Sequence, residues 1–167
     1  DASVAGFNPY EQPMVRDLLY GVLLPSGADA CETLARAVGG SEEGFVAMMN
    51  QKAEELGLTN THFENCTGLH NDNHYSTCRD IAVLMSECLK SDTFREIVTR
   101  EVYTTEATAS HPEGITLYDT MLHRFTSYEM STTLENAAVS EGGKTGFADE
   151  AGQCLFSFPE SVGEVYI

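Results

Sequence analysis

Asp17-Leu18-Leu19-Tyr20-Gly21-Val22-Leu23-Leu24-Pro25-Ser26-Gly27-Ala28-Asp29-Ala30 joins two stretches of helical patterning through a short break. Upstream of the break, a helix follows Pro13, and Val15, Leu18, Leu19, Val22 and Leu23 recur at helical spacing on one face. Pro25-Ser26-Gly27 stops it, because proline lacks the amide and glycine frees the backbone. Downstream, a second helix starts near Ala28 with Ala30, Leu34 and Val38 on one face. Taken alone, a serine beside a glycine ahead of a helix is an N-cap that satisfies free amides.

The text on either side extends this helical region. Residues 1–13 are polar and turn-rich, with Asn8-Pro9 and Gln12-Pro13. Gly39-Gly40 ends the second helix, as glycine does at a left-handed helix end. Ser41 caps a third, with Glu42 and Glu43 in the first turn where the dipole favours acids. Phe45, Met48, Met49, Ala53 and Leu56 are its expected buried stripe, the methionines as core, and Gly57 closes it. Residues 58–75 form a loop. Ser76 or Thr77 begins a fourth helix, with Ile81, Leu84, Met85 and Leu89 inward. Asp92 is the expected cap of a short fifth containing Phe94, Ile97 and Val98.

From Glu101 the pattern changes. Val102-Tyr103-Thr104-Thr105 has strand character. A polar loop and a short helical piece, Leu117 to Phe125, are expected next. Strand segments follow near Ala138–Phe147, Gln153–Phe158 and Glu164–Ile167. The predicted fold class is α/β (α+β): a helical part, about 14–100, packed on a mainly antiparallel sheet, about 101–167, in one partial domain. The sequence stops inside an apolar run with no turn or polar tail, so the expectation is a cut end. The unfinished sheet edge gives the further expectation of a strand-mediated homodimer.

Composition narrows the function. With 167 residues and 42% hydrophobic side chains the chain can bury a core. No apolar run approaches the roughly 20 residues that span a bilayer. A net charge of −17 repels phosphate backbones and anionic membrane surfaces, so no nucleic-acid partner is expected. A site for an anionic ligand must make its own positive potential.

Five scattered cysteines, Cys31, Cys66, Cys78, Cys88 and Cys154, contain no Cys-x-x-Cys pair and are an odd number. Cys31, Cys78 and Cys88 fall in helical patterns, where a buried free thiol is a small hydrophobe. His70, Asp72 and His74 have a spacing that invites a metal, but they sit in a loop without regular geometry. No metal and no cofactor is predicted. His62, His111 and His123 belong to no paired motif.

Gly142-Gly143-Lys144-Thr145-Gly146 lies on a predicted strand. Its bland explanation is a hairpin or bulge with a solvated lysine. Its functional explanation is more specific. Glycines clear a strand edge for another backbone, the lysine supplies positive charge, and the threonine hydroxyl bonds an anion.

A serine break followed much later by Lys-Thr-Gly resembles the low-molecular-weight penicillin-binding D-alanyl-D-alanine carboxypeptidases, of the serine penicillin-recognising superfamily. The resemblance runs over essentially the whole length. It covers the opening stretch, Met49-Asn50-Gln51-Lys52-Ala53, Leu56-Gly57-Leu58-Thr59-Asn60-Thr61-His62-Phe63 and His74-Tyr75-Ser76-Thr77. It continues in Gly143-Lys144-Thr145-Gly146-Phe147 and Asp149-Glu150-Ala151-Gly152. It implies a β-lactamase/penicillin-binding-protein-like fold, an extracytoplasmic bacterial location, and a peptidoglycan pentapeptide ending in D-Ala-D-Ala as substrate, with β-lactams as inhibitors. It implies a two-step acyl transfer through a serine of a Ser-x-x-Lys motif. Ser26 would relay a proton to the leaving amine, and Lys144 would support that relay with positive charge. Thr145, on the strand with Gly146, would hold the substrate carboxylate. The backbone amide of Phe147 would be one of two oxyanion donors.

Two departures stand out. No Ser-x-x-Lys occurs in these residues: Ser86 to Lys90 and Ser140 to Lys144 are each one residue too long. In the family that motif lies upstream of the part resembling residues 1–30, so the full protein is expected to be active and this chain alone inactive. The asparagine of the family's Ser-x-Asn is Ala28 here. Both departures motivate an alternative, a non-catalytic module that binds peptidoglycan or a partner protein. A β-lactamase fits less well, because Met49–Phe63 resembles the carboxypeptidases more.

Overall fold

Three helices begin at hydroxyl caps that the sequence supplies. Ser41, Thr77 and Ser91 each accept a hydrogen bond from the backbone amide three residues on, at 3.0, 3.2 and 3.3 Å. The third of these corrects an expectation. Ser91 caps the short helix, and Asp92 is its first residue, where the helix dipole favours an acid. The structure, a computed structural model, describes residues 2–121, 139–161 and 164–165. Its order is α1 (Val15–Leu23), α2 (Ala28–Gly39), α3 (Glu42–Glu55), α4 (Cys78–Cys88), α5 (Asp92–Val98), β1 (Val102–Thr104), β2 (Thr116–Tyr118), β3 (Val139–Ala148), β4 (Gly152–Ser161) and β5 (Glu164–Val165).

The break between α1 and α2 folds them into contact. Leu18, Tyr20, Leu24 and Ala30 join Ile97 and Leu117 in one buried cluster. Tyr20 stacks on Tyr103 with ring centroids 3.7 Å apart. Gly21 permits this approach, since a Cβ there would sit 3.0 Å from that of Ala30. Two ends of the predicted stripes lie outside the core: Val15 and Val38 are exposed. The stripe of α3 is also overestimated. Ala53 is buried, Phe45, Met49 and Leu56 are half-buried, and Met48 is exposed. The main neighbour of α3 is α2, and one partner covers only a narrow strip. The positive φ of 76° at Gly40 ends α2 as glycine at this position predicts.

Residues 116–118 are a strand, not the start of a helix. They pair antiparallel with β1 in the register Val102↔Tyr118, Tyr103↔Leu117 and Thr104↔Thr116. Leu117 alone of the three is buried, the period-two signature of a strand. Residues 122–125 of the expected helical piece lie outside the described residues. The second sheet runs β3-β4-β5, all antiparallel, with a register shift between Ser140 and Gly142. β3 lies at an edge of this sheet among the described residues. Here the two glycines before Lys144 find a packing reason. A Cβ on Gly142 would strike the Val98 carbonyl at the end of α5, and one on Gly143 would strike the Phe156 carbonyl and crowd Met121. The backbone they admit at this end of the strand is the protein's own.

No helix among the described residues is long and apolar enough to cross a membrane. The five cysteines are free. Cys78 and Cys154 are exposed, and Cys31, Cys66 and Cys88 are half-buried, so the expectation of a buried thiol fails for Cys78.

Candidate active site

Ser26 is not an N-cap. Gly27 takes that position at α2 and makes no side-chain cap. Ser26 instead has φ 61°, one of two non-glycine residues with positive φ among those described. An L-residue in this region is strained by about 1–2 kcal/mol. Neighbouring bonds hold it there. The Gly27 amide donates to the Gly21 carbonyl at 2.9 Å, and the Ala28 amide donates to the Ser3 carbonyl at 2.8 Å. Asp29 accepts from the amides of Ala5, Gly6 and Phe7 at 2.8, 2.9 and 2.9 Å. Its carboxylate thus straps the N-terminal segment onto the turn and faces away from the serine.

β3 brings Lys144 to this turn across 118 residues of sequence. Lys144 Nζ donates to Ser26 Oγ and, at 2.7 Å, to the carbonyl of Thr145. An ammonium has no acceptor, so Ser26 Oγ must accept, and its own proton stays available for another acceptor. Burial pushes the Lys144 ammonium below the ordinary lysine value, and the charge of Asp119 opposes that shift. A lysine so placed can pass a proton to the serine more readily than an exposed one. Thr145 Oγ1 lies 2.7 Å from Thr120 Oγ1, and the Thr120 amide donates to the Leu24 carbonyl at 3.2 Å. Thr120 is the second residue after β2. It was not predicted, because its surroundings were read as a helix.

Ser26, Lys144, Thr145, Gly146 and Phe147 line one cleft of about 720 Å3, so every predicted site residue meets there. Ala28 lines it too, with Asn65, Cys66 and Leu69 from the loop before α4. Phe147 is exposed. The other candidates are ordinary. His70 lies 3.3 Å from Asp72 and 3.8 Å from Glu150, and His74 accepts from the Glu64 amide at 3.3 Å. No group of ligands that could hold a metal occurs among the described residues. His62 pairs with Glu64 and His111 with Glu11; His123 lies outside the described residues.

The sequence model of the D-alanyl-D-alanine carboxypeptidase family matches residues 1–161. The chain belongs to this family. The D-alanyl-D-alanine carboxypeptidase DacF of Bacillus subtilis (strain 168) is 36% identical over 148 residues, 88% of this chain and 35% of its own length. The D-alanyl-D-alanine carboxypeptidase of Streptomyces sp. (strain K15) is 36% identical over 147 residues, 84% of this chain and 48% of its own. The crystal structure of the Streptomyces K15 DD-transpeptidase superposes with a TM-score of 0.80 at 33% identity, covering 98% of this chain and 62% of that one. The chain therefore spans about a third to a half of these curated relatives. The mixed helical and antiparallel architecture is that of the family's penicillin-binding fold.

In a member of this family, a strained serine lining the cleft points to a role in the site rather than in stability. Ser26→Gly relieves the strain but loses the Lys144 bond and gains chain entropy when unfolded. Its unfolding free energy is expected within about 1 kcal/mol of the parent's. Ser26→Val, β-branched at the same φ, should lose roughly 2 kcal/mol or more. Urea unfolding of both variants checks this. Equal losses in the two would show that the backbone at Ser26 is relaxed.

Proposed function

We propose that this chain supplies the proton-relay and carboxylate-binding side of the active site of a serine-type D-Ala-D-Ala carboxypeptidase, acting outside the cytoplasm on peptidoglycan stem peptides. The observation that carries it is Lys144 Nζ on Ser26 Oγ, beside Thr145 in one cleft. The nucleophile belongs to a Ser-x-x-Lys motif, which these 167 residues do not contain. That serine attacks the carbonyl of the penultimate D-Ala as the lysine of the same motif takes up its proton. The carbonyl oxygen becomes an oxyanion, held in part by the Phe147 amide. As the intermediate collapses, Ser26 gives its proton to the leaving amine, and Lys144 restores it. Water then hydrolyses the acyl-enzyme.

The terminal carboxylate explains why a molecule at −17 keeps a half-buried lysine here. Lys144 supplies the charge and Thr145 a hydroxyl, while Gly146 leaves the strand bare beside them. The stem peptide lies along the edge of β3 as an added strand. β-Lactams enter as analogues of the D-Ala-D-Ala unit and stop at the acyl-enzyme. With Ala28 in place of the family's asparagine, one amide that would orient substrate is replaced by a methyl group.

A fluorescent penicillin tests this. It is expected to label a protein that carries this chain together with a Ser-x-x-Lys segment, and to leave the 167-residue chain unlabelled. A stable adduct on the chain alone would show that the nucleophile has been misplaced. A folded longer protein that takes no label, yet still binds stem peptide, would establish a non-catalytic binding module instead.

A further inference from the structure

Cys31 and Cys66 lie 35 residues apart in sequence and meet on the wall of the cleft. Cys31 is in the first turn of α2, and Cys66 is on the loop before α4. The Cys31 thiol donates to the Cys66 carbonyl oxygen at 2.8 Å. No other pair of cysteines shares such a contact among the described residues. The loop around Cys66 is a compact unit. The Asn65 side chain accepts from the amides of Thr67 and Gly68 at 3.2 and 2.8 Å, and donates to the Leu69 carbonyl at 2.8 Å. Neither cysteine has a part in the proposed acyl transfer, and both are free.

We propose that Cys31 and Cys66 are a dithiol site that closes to a disulfide by exchange with small-molecule or protein disulfides. A disulfide needs Cα atoms about 5.5–6 Å apart. A thiol already against its partner's carbonyl reaches that geometry by side-chain rotation and a small shift of the loop. In the first step the Cys31 thiolate attacks one sulfur of R–S–S–R, forming a mixed disulfide, and the expelled R–S⁻ takes up a proton. The Cys66 thiol then loses its proton and attacks the Cys31 sulfur, expelling the second R–S⁻, which is protonated in turn. The two protein thiols lose two electrons and two protons in all, and the co-reactant leaves as two thiols.

The surroundings set the speed and the effect. Burial pushes the Cys66 thiol up to about 12, with Cys31 and Glu42 adding to the shift, and burial raises Cys31 as well. Glu42 Oε1 stands 3.5 Å from both the amide and the sulfur of Cys66. Thiolate is therefore scarce near neutral pH, and the pair closes through proximity rather than through an activated nucleophile. Once closed, the bond ties one wall of the cleft to the helix that begins just after Ser26. This inference does not depend on the proposed acyl transfer.

Incubating the chain with oxidised glutathione and then alkylating it provides the test. The expected product leaves Cys31 and Cys66 unalkylated and two hydrogens lighter, and yields, on digestion, the Cys31 peptide joined to the Cys66 peptide. Closing this loop should raise Tm by roughly 5–10 °C, reversed by dithiothreitol. Cys31→Ser and Cys66→Ser should each abolish the cross-link and the rise in Tm, while Cys78→Ser and Cys154→Ser should keep both. A cross-link through Cys78, Cys88 or Cys154 instead would overturn the proposal. So would glutathione retained on Cys31 or Cys66 without a cross-link, or an unreacted pair after the exposed Cys154 has been consumed.

Discussion

Lys144→Ala is expected to slow acylation by a penicillin about 10³-fold, in a protein that carries this chain with a Ser-x-x-Lys segment. The variant removes a positive charge from a half-buried site and leaves Ser26 Oγ without the donor that keeps its proton for another acceptor. Either loss alone is worth roughly 10²-fold. Stability should change little, since the side chain packs in a cleft and not in the main core. Lys144→Arg keeps the charge but replaces a compact ammonium by a planar fork, and should recover only part of the rate.

The pH profile separates charge from shape. Burial lowers the pKa of Lys144, so its ammonium is lost as pH rises through a value below the ordinary 10.5. Acylation should therefore fall on an alkaline limb below 10.5, and that limb should vanish in Lys144→Arg. Stability has the opposite sign. The folded state favours the neutral amine, so the unfolded chain binds more protons between the lowered pKa and 10.5, and stability from this group rises with pH across that window. Acylation of Lys144→Ala within tenfold of the parent would remove Lys144 from the relay.

What the sequence disclosed, and what it hid, divides by distance along the chain. The caps at Ser41 and Thr77, the break at residues 25–27 and the long β3–β4 hairpin are local signals, written in spacing and turn chemistry. The meeting of Ser26 with Lys144 was legible only because each stretch resembles a family motif. β1 and β2 are three residues each, too short for period two to compete with a helical pattern. The positive φ of Ser26, the strap made by Asp29, the Thr120 hydroxyl and the Cys31–Cys66 contact all depend on residues far apart in sequence. Spacing could not show them. The glycines at 142 and 143 were understood as clearing an edge for a ligand, yet the groups nearest them are Val98, Met121 and Phe156. A glycine announces close approach without naming what approaches.

Asp17→Ala is expected to cost about 3 kcal/mol or more of unfolding free energy, the largest stability loss among the residues discussed. Asp17 sits in the first turn of α1, where Met14 provides no side-chain cap, and the helix dipole favours its charge there. It is 1% exposed. One carboxylate oxygen accepts from Tyr103 Oη at 2.8 Å, the other from the Glu106 amide at 3.3 Å. These bonds fasten α1 to β1 and to the second residue after the strand, 86 and 89 positions away. The alanine variant strands both donors and opens a hole beside the Tyr103 hydroxyl. Arg16, the preceding residue, offers a contrast: its bridge to Glu96 is largely exposed and screened by solvent, so its loss should matter far less. Tyr103→Phe removes one donor with its partner's charge left in place, and should cost less than Asp17→Ala. Denaturant midpoints of the two single variants and the double measure the coupling. A double variant that loses the full sum of the singles would show that Asp17 and Tyr103 act independently, and that the carboxylate does not hold the sheet to the helix.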